Sequence, residues 1–263
     1  MKLLFNKTYL LFFLIFLAKN LPAQVVGGDN VFEFINLSPS ARITALGGNL
    51  ITVRDDDVNL AFANPASLNP LMHNQLAFNH NFYPAGIGQG YVGYGHHLKK
   101  SNLTLHGGIQ YVSYGEFDAT DHIGNVEGTF KAAEYAFVLG AGKQLYERMS
   151  VGANLKFITS SFESYRSSGI TGDLAAIFHD TVNQLNFTLL FKNIGGQLTT
   201  YTEDNREPVP FEMQAGISKR LKYLPFRFSF IYQYLNRWNI LYDDPNSEED
   251  SFFFDPSFAP EDK

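Results

Sequence analysis

The chain has 263 residues, no cysteine and a formal net charge of −6. Lacking cysteine, it can form no disulfide and excludes thiol catalysis and cysteine-held zinc or iron–sulfur centres. An excess of acids over bases also argues against nucleic-acid binding, which needs a basic stripe.

Lys2 and Lys7 open the chain, Tyr9 to Ala18 form a short apolar core, and Leu21-Pro22-Ala23-Gln24 supplies a small-residue exit. This order reads as a cleavable signal peptide over 1–24, since the apolar run is too short for a spanning helix. With Lys2, Lys7 and Lys19 removed, 17 basic residues face 26 acidic ones, a net of −9. Eight acids and one base fall in 243–263, net −7, so the rest of the mature chain is close to neutral.

Residues 25–74 do not alternate. Ser38 or Ser40 can cap a short helix over 41–46, and Gly47-Gly48 can end it, because glycine takes the left-handed conformation without strain. A second unit runs through Asp55-Asp56-Asp57 and Leu60-Ala61-Phe62-Ala63 to a turn at Asn64-Pro65. The block is expected to be a plug packed into a barrel, with an outside cap as the alternative.

Nine strands are predicted at 75–83, 87–98, 103–114, 132–143, 150–162, 168–179, 184–193, 211–221 and 226–237. The ninth shows the pattern best: Phe226, Phe228, Phe230, Tyr232 and Tyr234 alternate with Arg227, Ser229 and Gln233, so one face is apolar and the other polar. The second shows it least, with Tyr91, Gly93 and Gly95 set against Val92 and Tyr94. Strands of about 9–11 residues suit a membrane crossing better than the globular mean of about 5–6. A soluble two-sheet sandwich would alternate too, with its apolar face turned inward. Inward Asn154, Lys156, Thr188, Gln214 and Arg227 suggest a wet interior. Links at 99–102 and 146–148 read as tight turns, and 115–131 and 194–210 as long surface loops. Single-chain bacterial barrels use even strand numbers, and 243–263 brings no closing apolar strand. The expectation is a truncated frame: an antiparallel transmembrane β-barrel, all-β, with an N-terminal helical plug, a partial barrel over 75–242 and an acidic end at 243–263.

Little in the sequence suggests chemistry. Asp55-Asp56-Asp57 lacks the spacing of a calcium loop and reads as a solvated turn or helix start. His96-His97, adjacent on a strand, point to opposite faces. Gly86-Ile87-Gly88-Gln89-Gly90 precedes a strand rather than a helix and reads as a hairpin. Glu134 and Asp173 face inward and could form a carboxylate pair. No Gly-x-Ser-x-Gly elbow occurs, and no catalytic, metal or cofactor-binding residues are expected. The candidates for partner binding are Glu116, Asp118, Asp121, Glu203, Asp204 and Arg206 on the two long loops.

Ser40-Ala41-Arg42-Ile43-Thr44-Ala45-Leu46-Gly47-Gly48, followed by Asn64-Pro65-Ala66-Ser67-Leu68, resembles the N-terminal motif of the PorV/PorQ family of outer-membrane proteins, relatives of the FadL-type barrels. Phe82-Tyr83-Pro84-Ala85-Gly86, Gln110-Tyr111-Val112-Ser113-Tyr114-Gly115, Asn205-Arg206-Glu207-Pro208-Val209-Pro210-Phe211 and Gly216-Ile217-Ser218-Lys219-Arg220-Leu221 extend the likeness over nearly all the mature chain. The resemblance implies a FadL-like barrel, commonly of fourteen strands, in the outer membrane of Bacteroidota, within the type IX secretion system. It also implies a non-enzymatic docking role toward PorZ at the cell surface, in an assembly with PorU and PorV that attaches cargo. A FadL-like channel for hydrophobic small molecules is the alternative.

Overall fold

A computed structural model of the chain describes residues 30–203 and 205–237; the expected signal peptide at 1–24 and the acidic end at 243–263 lie outside these. Nine strands follow one another: β1 (Gln75–Phe82), β2 (Gly88–Leu98), β3 (Leu103–Thr120), β4 (Val126–Tyr146), β5 (Met149–Phe162), β6 (Tyr165–Asp180), β7 (Leu185–Thr199), β8 (Glu212–Arg220) and β9 (Arg227–Tyr232). They form one antiparallel sheet in the order β1 to β9, every strand paired with its sequence neighbours. The protein is therefore all-β and barrel-like. Among the described residues the sheet does not close, and β1 and β9 are its two edges.

The alternation fixes which side chains share a face. On one face Leu76, Phe78, Leu105, Phe137, Leu139, Leu155, Leu174, Phe187, Ile217, Phe228 and Phe230 are exposed, Leu139 and Phe230 to more than two thirds of their surface. On the other, Gln89, Thr104, Gln110, Glu134, Asn154, Lys156, Thr171, Asp173, Asn186, Thr188, Gln214 and Ser218 are buried. A soluble sandwich has the reverse arrangement and two sheets; here one sheet leaves its apolar face bare and covers its polar one.

What covers the polar face is the segment 31–72. It contains α1 (Ala41–Ala45), α2 (Leu60–Ala63) and 3-10 turns at Glu33–Asn36, Pro65–Ser67 and Pro70–Met72. Ser40 caps α1 by accepting from the Ile43 amide at 3.3 Å, and Gly47 and Gly48, at φ of 99° and 79°, end it. Asn64-Pro65 and Asn69-Pro70 use the same device. Each Asn side chain accepts from the amide two residues on, at 2.9 Å, while proline sits where an amide would be idle. Helices this short are not stable alone; Ile43, Leu50, Val53, Leu60, Leu68 and Met72 pack into one buried cluster that holds the segment together.

Two sequence expectations change. Residues 115–131 are not a long loop: β3 runs to Thr120 and β4 starts at Val126, leaving a five-residue tip. Residues 194–210 begin likewise with strand, β7 continuing to Thr199. In the first place the outward side chains Glu116, Asp118 and Lys131 are charged, so the apolar contrast fades while backbone pairing goes on; in the second Ile194 and Leu198 still face outward, but a register shift and Gly195-Gly196 interrupt the alternation. The inward polar residues are also not a sign of water. Asn154, Lys156, Thr188 and Gln214 are at most 4% exposed, filled over by the N-terminal segment; Arg227, near the sheet edge, is exposed.

Candidate functional site

The covered face is built to hold an irregular segment. Short turns leave backbone carbonyls without ladder partners, and buried carbonyls need donors. The wall supplies them from several strands. Gln89 donates to the Ser38 carbonyl (2.8 Å), Gln110 to those of Phe34 and Leu37 (3.2 Å each), Asn154 to Ala61 (3.0 Å), Asn186 and Ser218 to Thr52 (2.8 and 3.1 Å), and Thr188 to Ile51 (3.1 Å). Each bond contributes about 0.5–1.5 kcal/mol net. Their larger effect is selective, because any other placement strands both the carbonyls and the wall amides.

At the centre Lys156 and Asp173, 0% and 1% exposed, form an ion pair at 2.8 Å. Lys156 also donates to Asn193 Oδ1 (2.9 Å), the Asn193 amide donates to Asp173 Oδ1 (2.9 Å), and Asn154 Nδ2 donates to Asp173 Oδ2 (3.2 Å). The ammonium lies 5.1 Å from the centre of the Phe62 ring of α2. Asn193 reaches this cluster because it takes a left-handed conformation, φ 58°, beside a register shift between β6 and β7 at Gly172/Leu174. Its side-chain Nδ2 donates to Asn36 Oδ1 and to the Pro210 carbonyl, both at 3.0 Å. One wall cluster thus grips two parts of the covering segment, the turn at Asn36 and α2, together with the β7–β8 connection. Glu134 and Asp173 both point inward as expected, but they are not a pair: Glu134 accepts from Tyr114 at 2.5 Å, and Asp173 belongs to Lys156.

The Asp55-Asp56-Asp57 turn is an anchor. Arg42 of α1 meets Asp55 at 2.6 Å and Asp57 at 3.1 Å. Burial alone would raise the Asp55 carboxyl, but the Arg42 hydrogen bonds and charge outweigh it and hold the group below the usual carboxylate range. Beside this anchor, an open cavity of about 840 Å³ is lined by Arg42, Arg54, Arg220 and Arg227 among others. His96 and His97 separate as adjacent strand residues do, His96 toward Asn74 and His97 toward Thr104.

No family model and no curated protein matches the chain.

The six candidate partner-binding residues divide between two structures. Glu116 and Asp118 sit on the extension of β3, Glu116 across from Lys131 at 3.7 Å and Asp118 across from Thr129. Asp121 organises the β3–β4 tip by accepting from the amides of Ile123 and Asn125 and from the Asn125 side chain, each at 2.9 Å. The Asn125 bonds above all depress its carboxyl. Glu203 is exposed in the β7–β8 connection, where Arg206 turns back to donate to the Gln197 carbonyl at 3.0 Å; Asp204 lies outside the described residues. Sequence reasoning missed the Lys156–Asp173–Asn193 cluster. A signal for part of it was present: the two-residue turn Glu163-Ser164 sets the β5–β6 register, which puts Asn154 opposite Asp173 and Lys156 opposite Thr171.

Proposed function

We propose that this chain is an outer-membrane barrel protein of the type IX secretion system, PorQ-like and non-enzymatic, that docks a PorZ-type protein at the cell surface beside PorU and PorV. The observation that carries the membrane half is the inverted sheet. An apolar face this extensive, left bare while the polar face is covered, is costly in water and favourable in hydrocarbon. The N-terminal segment then acts as a plug, and the face it covers is the lumen. Tight turns at 147–148 and 181–184 fit the periplasmic end, and the long β3–β4 hairpin the external one.

The docking half is supported by the resemblance and by that hairpin, which presents Glu116, Asp118 and Asp121 at the rim. The hydrophobic-channel alternative draws less support: segment 31–72 covers much of the polar face, and the cavity beside it mixes Leu46, Leu50, Val53 and Ile231 with four arginines, a charged lining that suits an apolar solute poorly. The test is recovery of the full-length protein from isolated outer membranes with a PorZ-type protein from the same cells. Co-purification in detergent supports the reading. Extraction into aqueous buffer without detergent, or a complex that forms equally well without this chain, contradicts it.

A further inference from the structure

The β3–β4 hairpin is more than a long connection. The last β2–β3 pair is Gly88 with Ser113, and the last β4–β5 pair is Ala132 with Phe162. Past these points, among the described residues, β3 and β4 pair with each other alone, from Glu116–Lys131 to Thr120–Val126. They form a free two-stranded ribbon roughly 15 Å long at about 3.4 Å per residue.

The ribbon is braced. At its base Tyr114 donates to Glu134 at 2.5 Å and packs on Phe162, ring centres 5.4 Å apart. Just above, β3 carries one extra residue in a bulge where Gly115 adopts φ 89°, a conformation that favours glycine. Higher still, Phe117 and Phe130 stack across the strands at 5.3 Å and 20°, and the Asp121 bonds fix the tip.

The two faces differ. Phe130 lies two residues before Ala132 and four before Glu134, both buried on the covered face, so by strand alternation Phe130 and its partner Phe117 face the same way, over the mouth of the lumen. Glu116, Lys131 and Asp118 take the opposite face. The extra residue in β3 produces this arrangement; without it Glu116 would turn toward the mouth and Phe117 away. Along the ribbon Glu116, Asp118, Asp121 and Glu127 stand against the single cation Lys131.

We propose that this ribbon is the clamp of the docking site: a protein partner seats an apolar patch on the Phe117–Phe130 stack, and lysines or arginines flanking that patch are attracted through the thin ribbon by the field of the carboxylates on its other face, without touching that face. The inference rests on the docking reading and deepens it. Charge selects the occupant. A second copy would bring the same carboxylates and be repelled, and an anionic lipid surface would meet Glu116 and Asp118 rather than the Phe pair. Because the ribbon is fixed beforehand, little ordering opposes binding.

The test uses full-length protein in lipid nanodiscs and a purified PorZ-type protein as probe. Phe117→Ala with Phe130→Ala is expected to weaken binding at least tenfold, and Glu116→Lys with Asp118→Lys at least fivefold, with a flatter salt dependence. In an otherwise unchanged chain, a photo-crosslinking amino acid at position 130 should capture the probe and one at 129 should not, which holds the face assignment to account even if a variant folds poorly. Unchanged affinity in both double variants, or capture from 129 alone, overturns the clamp while leaving docking in place. If the unmodified protein does not bind the probe, the docking reading fails and the clamp falls with it.

Discussion

Lys156 shows how much one side chain can be asked to carry. A buried ammonium is tolerated only with a close counter-charge and full hydrogen bonding, and Asp173, Asn193 and the Phe62 ring provide both. Lys156→Ala should cost about 3–5 kcal/mol, because it leaves the Asp173 carboxylate buried without its counter-charge. Combined with Asp173→Asn it should cost less than the two single changes together, by about 1–3 kcal/mol, as thermal unfolding in detergent would measure. Arg42 allows a second prediction. Since Asp55 is depressed in the folded protein, its contribution is present above the ordinary carboxylate value of about 3.9 and is lost as pH falls through the lower folded value. The protection of the α1 amides against exchange, taken relative to the intrinsic rate at each pH, should therefore fall below about pH 4 in the native protein. Arg42→Ala should exchange faster already at neutral pH and show less of that acid response. The inward direction of Lys156 was legible from alternation. Its network was not, because the left-handed Asn193 and its register shift leave no trace in a period of two.

At the scale of elements, strands announced themselves wherever one face met apolar surroundings and the other did not. The ends of β3, β4 and β7 were silent because the alternation breaks there: Glu116 and Asp118 put charges on the outward face while the β3 bulge turns Phe117 to the other, and in β7 a register shift and Gly195-Gly196 interrupt the period before Leu198. β2 was weakly legible because the plug presses on it. Gly95 lies where a methyl group would come within 2.5 Å of the Met72 carbonyl, so space decides the residue there and not hydropathy. β4 contains a matched pair for testing this. A Cβ on Gly142 would lie 2.5 Å from the Leu68 Cβ and 2.7 Å from the Pro65 carbonyl, whereas one on Gly128 meets nothing within 4 Å. Gly142→Ala should destabilise by about 1–3 kcal/mol through overpacking and make the segment 31–72 more open to protease. Gly128→Ala should change stability by less than about 0.5 kcal/mol.

For the molecule as a whole, the N-terminal block was readable as a compact non-strand unit, and Ser40, Gly47-Gly48 and Asn64-Pro65 marked its turns. What the sequence could not convey is that the polar wall exists for the plug: donors at Gln89, Gln110, Asn154, Asn186, Thr188 and Ser218 match carbonyls far away in the chain, and that matching appears only once the strands are in register. The result is a sheet whose polar side is largely covered and whose apolar side is bare. The account depends on hydrocarbon covering that bare side. Because the chain has no cysteine, single spin labels can be placed cleanly at Leu139→Cys, Phe157→Cys, Leu174→Cys and Phe187→Cys in the full-length protein in lipid bilayers. Their collision rates with oxygen and with a water-soluble nickel chelate report the surroundings directly. The account predicts that oxygen reaches all four labels readily and the nickel chelate does not; free access of the chelate to these positions would contradict it.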